Sequence, residues 1–308
     1  MNVGISVVTH VPYGLPYLAL MSDVHDTQHS GGRRRARITR RGRLLLAAGA
    51  VLVVGVVLLL VLLPGDERAA RTEKLTLPEG WRASQAYAAV DKALRVAPGT
   101  TEKAAKRAAA ARNPAKRLRL PAEAKGNPEG YLYPATYPVD ENTTPRSLLS
   151  FMVNTARQKY AADGLPPTAR PGGLSAYETV VAASVVQAEA DTPQDMGKVA
   201  RVIRNRLDKG MPLQMDSTLN YGLGRSTLNT SHADTRTDSP YNTYRHKGLP
   251  PTPIGNPGQD ATRAAVSPPK GDWLYFVTVR PGDTRFTADY EEHRDNVREF
   301  NEDRKGSG

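Results

Sequence analysis

SAYETVVAASVVQAEAD, residues 175–191, is the stretch on which the reading of this chain turns. Ser175 stands three residues ahead of Glu178, the capping-box spacing that marks a helix start. Beyond that cap, Ala182, Val185, Val186 and Glu189 fall at i, i+3, i+4 and i+7 and share one helix face. The first three are apolar, so the face is predicted to be buried and to carry Glu189 with it. A carboxylate on such a face loses hydration, which disfavours its charged form and raises its pKa. A carboxyl protonated at neutral pH is what proton donation to a glycosidic oxygen requires. The helix alone also allows a plainer reading, with Glu189 one turn from the end and pointing into water.

Downstream, Thr192, Pro193 and Asp195 supply a cap, a first-turn proline and an acid at the third position, so a second helix is expected. Met196, Val199, Ala200, Ile203 and Leu207 form its apolar stripe, which is core, and Gly210 stops it. MPLQMDST (211–218) alternates like a strand that ends near Asp216, a residue facing either a cleft or a structural turn. WLYFVTV (273–279) is a second, apolar strand. Upstream, residues 144–161 are predicted to be helical with Leu148, Leu149, Met152 and Val153 inward. GYLYPATYPV (130–139) reads as a strand and turn. LTLPEGWRASQAYAAVDKAL (75–94) reads as a short strand and a helix capped by Ser84. TTEKAAKRAAAAR (100–112) has high helix propensity but a weak apolar face, as in a surface helix followed by a connector. Helices followed by strands and long loops give an α+β fold class.

Residues 44–63, LLLAAGAVLVVGVVLLLVLL, carry no charge and are long enough to cross a hydrocarbon core. The run is too long and uniform for a signal-peptide core. Arg33, Arg34, Arg35, Arg37, Arg40, Arg41 and Arg43 precede it, so residues 1–43 are expected to be a cytoplasmic basic tail. Residues 44–63 are then a single transmembrane helix, and everything after Pro64 lies outside the cytoplasmic membrane. Met21 is an alternative translation start. The net charge is +11. From Ala176 onward, however, 17 basic residues face 18 acidic ones, so the excess sits beside the membrane and between Arg68 and Lys125. That distribution suits topology and anionic lipid and argues against a nucleic-acid partner.

The absence of cysteine excludes disulfides, thiol catalysis and thiolate zinc sites. His10, His25, His29, His232, His246 and His293 show no metal-ligand spacing, so no metal is expected. No nucleophile elbow or phosphate-binding glycine loop is present, and no cofactor is called for. Carboxylate chemistry remains. Asp191 and Asp195 belong to a helix-to-helix turn, where capping explains them. The loop SPYNTYRHKGLPPTPIGNPG (239–258) offers Tyr241 and Tyr244 as stacking faces and Asn242 as an amide. It is either a sugar-holding loop or a rigid surface loop with its tyrosines packed on the core.

EGYLYPATY (129–137), AASVVQAEA (182–190), VARVIRNRLDKGMPLQMDSTLNYGLG (199–224), the loop 239–258 and YFVTV (275–279) together resemble the ordered motifs of a known family. It is the endolytic murein transglycosylase, or YceG-like, family, and the resemblance runs from about residue 129 to residue 300. It implies an extracytoplasmic YceG-like catalytic domain at 129–303, acting as a peptidoglycan lytic transglycosylase, a carbon–oxygen lyase. Such an enzyme cleaves the β-1,4 bond between N-acetylmuramic acid and N-acetylglucosamine in nascent strands and leaves 1,6-anhydro ends without using water. The catalytic glutamate of the family falls on Glu189. The position two residues earlier, acidic in some members, is Gln187 here, so Glu189 is the only carboxylate on this helix after Glu178. Gln214, Asp216, Tyr241 and Asn242 match patterned positions and become candidates for substrate binding.

The resemblance further implies peptidoglycan glycan strands and the membrane as partners, with peptidoglycan synthases as candidates. Family members carry a LysM-like module between membrane and catalytic domain. Here residues 64–128 form a short extracytoplasmic spacer in which only LTLPEGWRASQ resembles the end of that module. Two alternatives stand beside this reading. One is a membrane-anchored muramidase using Glu189 and Asp216, which needs its carboxyls roughly 5 to 5.5 Å apart for retention or about 6.5 to 9.5 Å apart for inversion. The other is a non-catalytic wall-binding scaffold.

Overall fold

The computed structural model describes residues 73–165, 173–225, 230–231 and 233–306. The described residues all fall within one unit, Glu67–Gly308. The N-terminal half of them comprises β1 (Glu73–Thr76), α1 (Ala83–Ala93), α2 (Thr100–Ala110), β2 (Thr136–Val139) and α3 (Pro145–Ala162). Then come α4 (Ala176–Glu189), α5 (Pro193–Asp208), α6 (Asp216–Gly222), α7 (Gln259–Val266), β3 (Tyr275–Arg280), β4 (Asp283–Thr287) and α8 (Tyr290–Gly306). The strands form two antiparallel two-stranded sheets, β1–β2 and β3–β4, so helices dominate a mixed α+β architecture. The expected basic tail and membrane span lie outside the described residues. Among the described residues no helix is long and apolar enough to cross a membrane.

α4 begins as its capping box predicts. Ser175 Oγ accepts the Glu178 N–H (3.2 Å), and the Glu178 carboxylate accepts the Ser175 N–H (2.8 Å). Its burial goes further than one face. Tyr177 and every residue from Thr179 to Val186 are buried, because α4 separates two apolar clusters. Tyr177, Val180 and Val181 join Val90 of α1, Ala105 and Ala108 of α2, and Leu148, Leu149, Met152 and Val153 of α3. Ala182, Val185 and Val186 join Met196, Val199, Ala200 and Ile203 of α5 and Ala261 and Ala264 of α7. A helix apolar on all sides is a core helix, and each fully buried valine contributes about 1.5–3 kcal/mol. The predicted α5 stripe is thus core, with Leu207 only partly buried at its end.

Residues 73–128 are tied into the C-terminal part of the same unit. β1 pairs with β2, setting Leu75 opposite Tyr137. The expected cap of α1, Ser84, proves to lie inside the helix, whose N-cap is Arg82. Its free N–H groups are taken by other side chains. Gln85 accepts from Arg82 (2.9 Å), and Glu129, distant in sequence, accepts from Ala83 (2.9 Å). Gly130, at φ +81, lets the chain pass directly under Pro253, where a Cβ would come within 2.6 Å of the ring.

The alternating stretch 211–218 does not form a sheet strand. It makes a single bridge, Pro212 to Lys247, and Asp216 opens α6 instead of ending a strand. The reason lies at Gln214, whose φ of +54 is incompatible with a ladder. Thr243 replaces the missing strand partner: its carbonyl accepts the Gln214 N–H (3.0 Å), and its Oγ1 accepts the Met215 N–H (3.0 Å). The alternation nevertheless survives as burial, with Leu213 and Met215 inside.

Candidate active site

The C-terminal end of α4 and the N-terminal end of α6 converge. Glu189 is the last residue of α4, and Ala190 leaves the helix in an extended conformation. Ser217, in the first turn of α6, donates through Oγ to Glu189 Oε1 (2.5 Å), with its N–H 3.4 Å from the same oxygen. Glu189 is half-buried. Burial holds its pKa above the usual carboxylate range, the two Ser217 bonds pull it down, and the Asp216 charge pushes it up again. Asp216 in turn accepts a hydrogen bond from Tyr244 Oη (2.6 Å).

These residues line a cleft of about 1320 Å³. Residues 79–82, Gln214, the edge of β3 and one side of α8 complete its walls. The volume exceeds the roughly 300–1,000 Å³ typical of small-molecule pockets and suits a polymer.

Arg206 of α5 stiffens one wall. It is buried, and its acceptors are neutral oxygens: Leu274 O to Nε (2.6 Å), with Leu213 O (2.9 Å), Pro212 O (3.1 Å) and Gln214 Oε1 (3.1 Å) to Nη1. Burial lowers its pKa from the ordinary guanidinium value. By holding both neighbouring carbonyls and the Gln214 side chain, it secures the left-handed backbone at Gln214, an arrangement that costs energy for any residue but glycine. Its guanidinium also lies 5.2 Å from the Tyr275 ring centre, and His293 stacks on Tyr275 at 5.1 Å.

A second perturbed carboxyl sits behind the cleft. Glu129 is buried, and its Oε1 caps α1, while Tyr221 Oη of α6 donates to its Oε2 (3.0 Å). Burial drives its pKa up to about 7, against the pull of those bonds and of the nearby Arg82. Arg82 lies over the Tyr221 ring, 4.9 Å from its centre.

Of the residues singled out from sequence, Glu189, Gln214 and Asp216 line the cleft together, whereas Tyr241 and Asn242 do not. Asn242 is fully buried and braces its own loop. Its Nδ2 donates to Thr235 O (3.0 Å) and Thr237 O (2.7 Å), and its Oδ1 accepts the Tyr244 N–H (3.1 Å). Tyr241 packs on Tyr221 with ring centres 5.0 Å apart and shares a hydrogen bond with Thr252 (2.9 Å). Tyr244 is the loop residue that reaches the cleft. Gln187 accepts the Gly258 N–H (2.8 Å) and steadies the start of α7. Ser217, Arg206 and Glu129 escaped the sequence reading. Only Arg206 left a signal there, as a charge at i+3 from Ile203 and i+4 from Val202 on a buried stripe. Among the described residues no three His, Asp or Glu side chains come together in a way that could hold a metal ion.

Residues 57–299 match the sequence model of the YceG-like family. A protein of Bacillus subtilis (strain 168) named endolytic murein transglycosylase is 37% identical over 169 residues, 54% of this chain and 46% of its own length. A protein of the same name from Streptococcus pneumoniae (serotype 2, strain D39) is 38% identical over 180 residues, 56% of this chain and 32% of its own length. The chain therefore spans less than half the length of these curated relatives. The 2.6 Å crystal structure of a putative yceG-like protein from Listeria monocytogenes superposes with a TM-score of 0.54 at 28% identity, covering 73% of this chain and 75% of that one. Motif order, the family match over most of the chain and the shared fold agree: this chain belongs to the YceG-like family.

Proposed function

We propose that the chain is a lytic transglycosylase that cuts the β-1,4 bond between N-acetylmuramic acid and N-acetylglucosamine within peptidoglycan strands. The observation that carries this reading is Glu189, a carboxyl with raised pKa on the wall of a polymer-sized cleft. The names of the relatives support the substrate. Residues 44–63 anchor the enzyme, residues 1–43 stay cytoplasmic, and the catalytic body works outside the membrane at the end of the spacer 64–128.

Both Ser217 contacts fall on Oε1 of Glu189, so Oε2 carries the transferable proton. That proton passes to the glycosidic oxygen as the bond to the muramic anomeric carbon breaks, leaving a carboxylate that Ser217 stabilises. The muramic 6-hydroxyl then attacks the anomeric carbon and returns its proton to Glu189. The product is a 1,6-anhydro ring, and the enzyme is back in its starting state. One carboxyl suffices because the nucleophile is intramolecular, and its proximity supplies the large effective concentration. The reaction starts from the protonated form, so activity is lost as pH rises through the raised Glu189 pKa.

Replacement Glu189→Gln keeps the shape and removes the proton. Release of anhydro-ended fragments, followed by mass spectrometry, is expected to fall by roughly 10²–10⁴-fold. A variant that released fragments at the wild-type rate would overturn the reading. Asp216, in the same cleft, favours one alternative, a muramidase that hydrolyses the bond with Glu189 and Asp216. Reducing ends in place of anhydro ends would identify it.

A further inference from the structure

The C-terminal hairpin and α8 also line the cleft that holds Glu189. Tyr290, His293, Arg294, Val297, Arg298 and Asn301 all line it, at the 3–4 residue spacing of a single helix face. Tyr290 is 57% exposed, one of two large hydrophobic residues so open among the described residues. The other, Phe151, packs edge-on against Tyr137 and does not line the cleft. Tyr290 is not loose. Its ring lies 5.5 Å from that of Tyr275 and 6.5 Å from that of His293, and Tyr275 itself packs against His293 and the Arg206 guanidinium.

The result is an aromatic cluster, with His293 stacked on Tyr275 and Tyr290 tilted against both, that leaves one ring largely uncovered on the cleft. His293 Nδ1 within the stack has no hydrogen-bond partner. The cations on α8 are paired within the helix, Arg294 with Glu291 and Arg298 with Asp295. The exposed Tyr290 ring therefore offers an apolar face beside ion-paired arginines of α8, which fits an uncharged sugar ring, while the Arg206 cation lies against Tyr275. A backed aromatic ring binds at low entropic cost, since little side-chain freedom is left to lose.

We propose that Tyr290, backed by Tyr275 and His293, forms a subsite on the α8 side of the cleft that stacks on an N-acetylhexosamine of the glycan strand other than the pair at the bond being cut. The proposal rests on the glycan-cleaving reading above. It gives the cleft a second hold on the strand.

The test uses the full chain carrying Glu189→Gln, so that substrate survives, and peptide-free glycan strands purified from sacculi as the probe. Adding Tyr290→Ala is expected to weaken binding by roughly 2- to 10-fold, the order of one aromatic contact, while Tyr290→Phe keeps parental affinity. In the active enzyme Tyr290→Ala raises KM on long strands and leaves kcat at saturation in place. Equal affinity of the Ala variant and its parent overturns the subsite alone, as does a Phe variant that loses as much as Ala. A Glu189→Gln parent that binds no strands overturns both this subsite and the glycan-cleaving reading.

Discussion

Replacing Glu129 with Gln should flatten the dependence of stability on pH. Glu129 is buried and titrates at about 7 in the fold, against 4.5 for an unperturbed glutamate. Its folded pKa is raised, so its contribution to stability is fully present below about 4.5, where both states are protonated. That contribution fades as pH rises towards 7, because the unfolded chain releases the proton first. A displacement of this size corresponds to about 3 kcal/mol lost between pH 4.5 and pH 8. For a domain of this length that is roughly 6–12 °C in Tm. Gln has nearly the same shape and accepts the Ala83 N–H as Glu does, but it never ionises. Its altered bond to Tyr221 shifts stability by a constant that pH does not touch. Thermal unfolding of both proteins at pH 5, 6, 7 and 8 is the assay, and the quantity read is the difference between their Tm values. That difference should move in favour of the Glu129→Gln variant by several degrees from pH 5 to pH 8. Parallel curves would refute the claim that burial outweighs the two hydrogen bonds at Glu129.

Two further substitutions separate chemistry from scaffold. Ser217→Ala removes the 2.5 Å donor to Glu189 Oε1, a charge-assisted bond of the kind worth about 1.5–3 kcal/mol. The carboxylate loses more than the neutral acid does, so the alkaline limb of the pH–rate profile should move to higher pH, and kcat at neutral pH should fall about tenfold as the acid loses its fixed position. An unmoved limb would count against Ser217 as the partner of the carboxylate. Asn242→Ala removes three hydrogen bonds, to the partly buried Thr235 and Thr237 carbonyls and from the Tyr244 N–H, which should cost about 3 kcal/mol and lower Tm. A large rise in KM at unchanged Tm would instead make Asn242 a glycan contact.

What could be read in the chain without its fold was local. The Ser175–Glu178 cap and the inward residues of α3 and α5 depend on neighbours three or four positions away, and the structure has them as expected apart from the partly buried Leu207. The α+β character followed from the same kind of pattern. The failures share one cause. Gln214 adopts a left-handed conformation that no side-chain preference announces, and it turned an apparent strand into the approach to α6. Ser84 looked like a cap, yet the N–H of Ala83 is taken by Glu129, 46 positions along the chain.

Residue identity and spacing by themselves determined the helix carrying Glu189, the charge-free run at 44–63 and the lack of thiol chemistry, because periodicity, hydropathy and composition are properties of short stretches. Only tertiary structure decided what surrounds the acid. Ser217 reaches Glu189 across 28 positions and Tyr221 reaches Glu129 across 92. Tyr244, Arg206 and the α8 platform meet the cleft from three other elements. A pKa is set by burial and by the donors that arrive in space, and the spacing along the chain carries no record of which distant donor that will be.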